Sequence, residues 1–159
     1  MTTGADKEVV AQTDKRTAPD QGDFLVATKA IILRADGHML TMRRSITAPT
    51  NPLGWDLPGG ILELDEEADQ GIIRETKEET NLEIEPPQAF HAIARPNNIG
   101  EHWVNIYYVA NATSEEVTLS FEHDEFQWVM PETFGELRGS MRNKEAVAHF
   151  VALRAAGKI

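Results

Sequence analysis

Residues 24–33 are apolar and β-branched almost without interruption, which predicts a strand. Asp36-Gly37 then carries the signal of a two-residue hairpin turn, and residues 38–43 resume as a second strand. Residues 45–54, with Pro49, Asn51 and Pro52, predict a loop. Strands are predicted again at residues 89–95 and 103–110, joined by the turn-forming run Asn97-Asn98-Ile99-Gly100, with fainter strand patterns at 117–121 and 126–129. Two segments change period. Residues 66–80 predict a helix with Asp65 as N-cap, and residues 144–156 place Ala146, Val147, Phe150, Val151 and Arg154 at helical spacing with Gly157 as a stop. Pro86-Pro87 ends whatever short strand follows the first helix.

Mostly strands, with one helix in the middle and one at the end, predicts an α+β fold: a mixed β-sheet flanked by helices. Residues 1–22 mix Thr, Asp, Lys and Gln without lasting periodicity and predict a mobile tail, leaving residues 23–159 as a single domain. A chain of 159 residues is long enough for one hydrophobic core.

The charge changes the picture. Twenty-six acids against 15 bases give a net charge of −11, which argues against nucleic-acid and anionic-membrane partners, both of which need a basic footprint. Residues 63–85 hold ten acids and two bases, so this window alone supplies −8. An anionic substrate could approach it only through bound cations. Without cysteine, any metal must be held by oxygen or imidazole, and a reducing compartment is the natural expectation. No apolar run reaches signal-peptide or membrane-span length, so the expectation is a cytoplasmic, untethered protein.

Within the acidic window, Glu75, Glu78 and Glu79 share one helix face, where like charges repel. They also lie in the last turns, where the helix dipole disfavours anions by roughly 0.3–1 kcal/mol each. Glu66 and Glu67 stand at the other end, where capping accounts for them. A solvated charged face is the bland reading of any acidic helix. Here Pro58-Gly59-Gly60 precedes it, a loop whose backbone can turn tightly and approach a ligand closely. Hard divalent cations prefer such clustered carboxylate oxygens.

The segment resembles a Nudix box, G-x5-E-x7-R-E-U-x-E-E-x-G-U with U bulky and aliphatic. Gly60, Glu66, Arg74, Glu75, Glu78, Glu79 and Leu82 match in register. Thr76 departs at an aliphatic position and Asn81 at the final glycine; neither change removes a charge, and Asn suits the left-handed conformation that ends a helix. The Trp55 to Gly60 entry and the segment EHDEFQW at 122–128 are also similar to the family, so the resemblance covers residues 24–155.

The resemblance to the MutT-like Nudix hydrolases implies an α/β/α sandwich with a catalytic loop-helix-loop. It also implies a Mg²⁺- or Mn²⁺-dependent enzyme that cleaves a diphosphate linkage in a nucleoside diphosphate joined to another group. By matching position, Glu75, Glu78 and Glu79 would be metal ligands with the Gly59 carbonyl, Glu66 would lie behind them, and Arg74 would orient Glu75. Glu75 is the first candidate for general base, Glu122 the later-loop candidate and Glu125 the reserve. Arg43 and Arg44, at the end of the second strand, are candidates to meet substrate phosphate. Trp103 shares a strand face with Asn105 and Tyr107 and is a candidate to stack a base, although strand aromatics are more often core. The expected substrate is a nucleoside triphosphate or related nucleotide. An ADP-sugar, whose subgroup carries a downstream proline that Pro96 approximates, and a dinucleoside polyphosphate are the alternatives. A non-hydrolytic nucleotide sensor is the alternative from another class. The family resemblance also admits a homodimer.

Overall fold

The computed structural model describes residues 23–159; the tail expected over residues 1–22 lies outside them. A six-stranded mixed sheet runs in the order β3-β2-β1-β5-β4, with β6 also pairing β2. Its strands are β1 Phe24–Leu33, β2 Met39–Arg44, β3 Trp55–Asp56, β4 Gln88–Pro96, β5 His102–Asn111 and β6 His123–Val129. β1 and β5 are parallel over their full length, Phe24 opposite His102 through Leu33 opposite Asn111. The remaining pairs are antiparallel.

Period-two alternation divides the core between the two sheet faces. Ile31, Met39, Leu57 and Tyr107 pack against Phe134 and against Ala146, Val147 and Phe150 of α2 (Met141–Ala155). Ala30, Ile32, Leu40, Met42 and Tyr108 pack against Ile72 of α1 (Ala68–Thr80) and against Leu82. The sheet is therefore sandwiched between the helices, as the sequence pattern predicts.

Four local expectations are corrected. The β1–β2 hairpin has a three-residue rather than a two-residue loop. Gly37 N–H donates to the Arg34 carbonyl and Arg34 N–H to the His38 carbonyl, with Gly37 left-handed at φ 88°, the type I turn plus bulge that favours glycine there. The first helix begins at Ala68, not residue 66. Glu67 is its N-cap residue, and Asp65 is itself left-handed at φ 63° and so turns the loop instead of capping the helix. Residues 117–121 form no strand: Thr118 N–H and Ser120 N–H donate to the Thr80 and Glu79 carbonyls at 3.0 Å, satisfying the open end of α1. The second helix starts three residues before 144, at Met141, preceded by a 3-10 helix at Pro131–Glu136. The left-handed end expected at Asn81 is present, at φ 58°.

Candidate active site

The glycine loop is held as an extra extended segment along β1. Thr28 N–H donates to the Gly60 carbonyl and Ala30 N–H to the Pro58 carbonyl, each at 2.9 Å, and Leu62 N–H returns to the Val26 carbonyl. This contact leaves no room for side chains. A Cβ on Gly59, whose φ is +135°, would lie 2.0 Å from the Thr28 carbonyl oxygen, and one on Gly60 would lie 2.6 Å from the Glu75 carboxyl group. Gly60 therefore lies directly over α1, and the close approach to β1 requires glycine at position 59.

Across from the loop, Glu79 is only 5% exposed. Its Oε2 accepts the Gly59 N–H at 3.0 Å. Burial pushes the Glu79 carboxyl up to about 8, with the charges of Asp56 and Glu75 adding and Lys29 and the Gly59 hydrogen bond opposing. One turn back, burial also raises Glu75 against the pull of Arg74, while the charges of Glu78 and Glu122 add to the rise. The charge of Glu122, the later-loop candidate, acts on Glu75 even though it lies 47 positions further along the chain.

Arg74 is the hub of the box. Its Nε and Nη2 fork onto the two carboxylate oxygens of Glu66 at 2.7 and 3.0 Å, and its Nη1 reaches Glu75 at 3.0 Å and Glu78 at 3.2 Å. The hydrogen bonds from Arg74 and from Glu63 N–H hold the Glu66 carboxyl down at about 2. Capping thus does not account for Glu66; its partner is Arg74.

Arg43 and Arg44, the candidates to meet substrate phosphate, are both engaged by acids of the chain. Arg43 is paired with Asp124 and Glu125 at 2.8 Å each, which also engages the reserve base Glu125. Arg44 points inward to Asp56 at 3.2 Å and to the Thr50 carbonyl at 2.8 Å. Trp103 is half-buried opposite Leu25, and its Nε1–H donates to Glu101 at 3.2 Å. Tyr107, on the same face, is fully buried core.

Sequence reading missed a polar network beneath the loop. Lys29 Nζ donates to both oxygens of Asp56 at 3.0 Å, to the Leu57 carbonyl at 3.1 Å and to the Gly59 carbonyl at 3.3 Å. Asp56 Oδ1 also accepts Asn143 Nδ2 at 2.8 Å, and Tyr107 donates to Asn143 Oδ1 at 3.0 Å. Burial opposes the Asp56 charge, but Lys29, Arg44 and the Leu57 N–H outweigh it and keep the carboxyl below its usual range. The available signal was Lys29 itself, one cation inside an otherwise apolar strand.

Among the described residues, no three acidic or imidazole groups are already gathered into an ion cage. The Glu78 side chain is 59% exposed and leans on Arg74. The donor set nevertheless suits a hard cation. Glu79 is a buried carboxylate whose single side-chain hydrogen bond among the described residues comes from a backbone amide, beside Glu75 and the Gly59 carbonyl, and every one of these groups offers oxygen.

A sandwiched mixed sheet with an acidic loop-helix-loop on one face defines the fold of the Nudix proteins. Residues 23–150 match the NUDIX domain family, and the chain belongs to that family. It is similar to a MutT-like protein of Streptomyces ambofaciens, 37% identical over 76 residues, a match covering 48% of this chain and 45% of that relative's length. The chain thus spans less than half of that curated relative. Among solved structures, it resembles the MutT protein from Methanosarcina mazei Go1, with 26% identity, a TM-score of 0.76, and coverage of 84% of this chain and 97% of that one. It also resembles the MutT NUDIX hydrolase from Burkholderia pseudomallei, with 25% identity, a TM-score of 0.68, and coverage of 80% and 98%. Among the described residues no helix is long and apolar enough to cross a membrane.

Proposed function

We propose that this chain is a metal-dependent Nudix pyrophosphohydrolase that cleaves the diphosphate linkage of a nucleoside triphosphate or related nucleotide. The observation that carries the reading is Glu79, a buried carboxylate under the glycine loop that is bonded to a backbone N–H and, among the described residues, to no cationic side chain. Such a group is costly to keep charged unless a cation joins it.

Glu75, Glu78, Glu79 and the Gly59 carbonyl would hold Mg²⁺ or Mn²⁺. When bound, the cation supplies charge neutralisation at phosphate oxygens and a more acidic water. The chain's own residues do the rest. Arg74 braces Glu75 and Glu78 from one guanidinium nitrogen while its other limbs are locked by Glu66. Glu75, half-buried and raised in pKa, is suited to take a proton from the attacking water, and Glu122 is the second candidate for that step. Neither Arg43 nor Arg44 is assigned to phosphate, since both are engaged by acids of the chain.

The test is a panel of nucleoside triphosphates, nucleoside diphosphate sugars and dinucleoside polyphosphates assayed with Mg²⁺ and Mn²⁺, with products identified. Turnover of at least one class, and its loss by two or more orders of magnitude in Glu79→Gln, is expected. Tight binding without any turnover would replace the hydrolase with a nucleotide sensor, and full activity of Glu79→Gln would refute the site.

A further inference from the structure

Lys29 stands out because it has more acceptors than donors. An ammonium group has three N–H bonds, yet four oxygens lie within 3.3 Å of Nζ. Asp56 contributes two of them, at 3.0 Å, and the Leu57 and Gly59 carbonyls the other two. The Gly59 contact is the longest of the four, at 3.3 Å.

The same glycine is held from its other side. Its N–H donates to Glu79 while its carbonyl accepts from Lys29, so a single peptide residue links the buried cation to the buried carboxylate. The side chain of Lys29 is 14% exposed and its backbone neighbours Thr28 and Ala30 bind the loop at Gly60 and Pro58. Strand, loop and ammonium therefore move together.

We propose that Lys29 is a positioning residue for the metal site: its ammonium aims the Gly59 carbonyl and steadies the Gly59 N–H on Glu79, with Asp56 serving to anchor the ammonium. This rests on the reading of Glu79 and Gly59 as ligands. Lys29 touches neither substrate nor reacting atoms in this role. Without it, the Gly59 peptide keeps its strand contacts but loses the tie that fixes its carbonyl, and the ligand set loosens.

A purely structural role, the neutralisation of buried Asp56, makes a different forecast. Lys29→Met alone leaves Asp56 short of a partner and is expected to lower Tm. The double variant Lys29→Met/Asp56→Asn removes both charges and is expected to recover much of that Tm. The deciding readout is Mn²⁺ affinity, measured on the substrate-free protein by electron paramagnetic resonance. It is expected to stay weakened by about tenfold or more in the double variant, the usual scale for groups that orient a ligand. Mn²⁺ affinity within twofold of wild type in the double variant would overturn the proposal and leave only the neutralising role.

A measurement on the unaltered chain covers the case in which the double variant does not fold. The Lys29 ammonium signal in a lysine-labelled NMR sample should shift when Mg²⁺ is added, because the cation polarises the Gly59 carbonyl that it shares with the ammonium, and an unchanged signal at saturating Mg²⁺ would overturn the proposal. Wild-type protein that turns over nucleotide while failing these tests leaves the hydrolase reading standing. Wild-type protein that binds no Mn²⁺ overturns both.

Discussion

Arg74 and Glu66, eight residues apart, are joined by a two-limbed fork, Nε to Oε1 at 2.7 Å and Nη2 to Oε2 at 3.0 Å. The fork leaves Nη1 as the nitrogen that braces Glu75 and Glu78. A lysine cannot reproduce this geometry, because its ammonium is a point charge without a planar fork. Arg74→Lys should keep the fold and lower kcat by about 10- to 100-fold, as expected for a residue that orients others. Glu66→Gln, which retains one acceptor oxygen, should cost less. Steady-state kinetics alongside a circular dichroism spectrum checks both, and equal activity of Arg74→Lys and wild type would remove Arg74 from its orienting role.

Gly59 and Gly60 are adjacent but should respond differently to alanine. A Cβ at Gly59 would meet the backbone oxygen of Thr28 at 2.0 Å and would have to adopt φ +135°, so the loop cannot remain on β1. Gly59→Ala should lose about 3 kcal/mol of stability in urea melts. At Gly60 the obstacle is the Glu75 carboxyl end at 2.6 Å, the tip of a side chain that can swing away. Gly60→Ala should therefore lose less than about 1 kcal/mol, while kcat falls by more than tenfold because Glu75 is displaced.

The box was legible because chemistry, not packing, fixes its spacing: carboxylates at 75, 78 and 79 make little sense as a bare helix face. The sheet was legible from alternation, and Tyr107 and Tyr108 do enter opposite cores. What stayed hidden was how polar groups choose partners far apart in sequence. Arg43 and Arg44 read as free strand-end cations, but β6 brings Asp124 and Glu125 to one and β3 brings Asp56 to the other. Residues 117–121 carry a real apolar pattern, since Val117 and Leu119 pack on the α1 side of the core. Their amide groups pair with the end of a helix instead of a strand. Asp65 and Glu66 read as ordinary capping residues because composition at a helix start cannot reveal an arginine two turns further on.

Added metal should stabilise the wild-type protein by mass action. At a free Mg²⁺ or Mn²⁺ concentration ten times Kd, a single site adds about 1.4 kcal/mol. The gain should appear as a rise in Tm that chelator reverses. In Glu79→Gln, where the amide can still accept the Gly59 N–H, the metal-induced rise should shrink or vanish while the metal-free Tm stays at or above that of wild type. An undiminished rise would show that Glu79 is not a ligand.

The Tyr107 hydroxyl donates to Asn143 and accepts from Asn105 at 3.4 Å, and burial raises it to about 12, so it remains protonated throughout the working range. Tyr107→Phe would leave the Asn143 Oδ1 without its donor in a buried site. A loss of about 1–3 kcal/mol is expected, without a change in Mn²⁺ affinity, because Asp56 keeps Lys29, Arg44 and the Leu57 N–H. Denaturant melts paired with metal titration test the two halves separately.

His123 should make the protein acid-sensitive below neutrality. The imidazole is 5% exposed, and neither ring nitrogen has a hydrogen-bond partner among the described residues. Burial lowers it from 6.5 to about 4, with Asp56 and Asp124 opposing and Lys29 and Arg44 adding to the fall. The unfolded chain binds this proton from about pH 6.5 downward and the folded chain only near pH 4, so between those values the unfolded state holds more protons and stability rises with pH. The stability is therefore complete above pH 6.5 and is lost as pH falls toward 4. With allowance for residual screening, the loss attributable to this residue is on the order of 2 kcal/mol. His123→Gln removes the titration, and its urea-unfolding free energy should decline less steeply than that of wild type across this window. Parallel slopes for the two proteins between pH 6.5 and 4 would show that His123 is not the buried group taking up the proton.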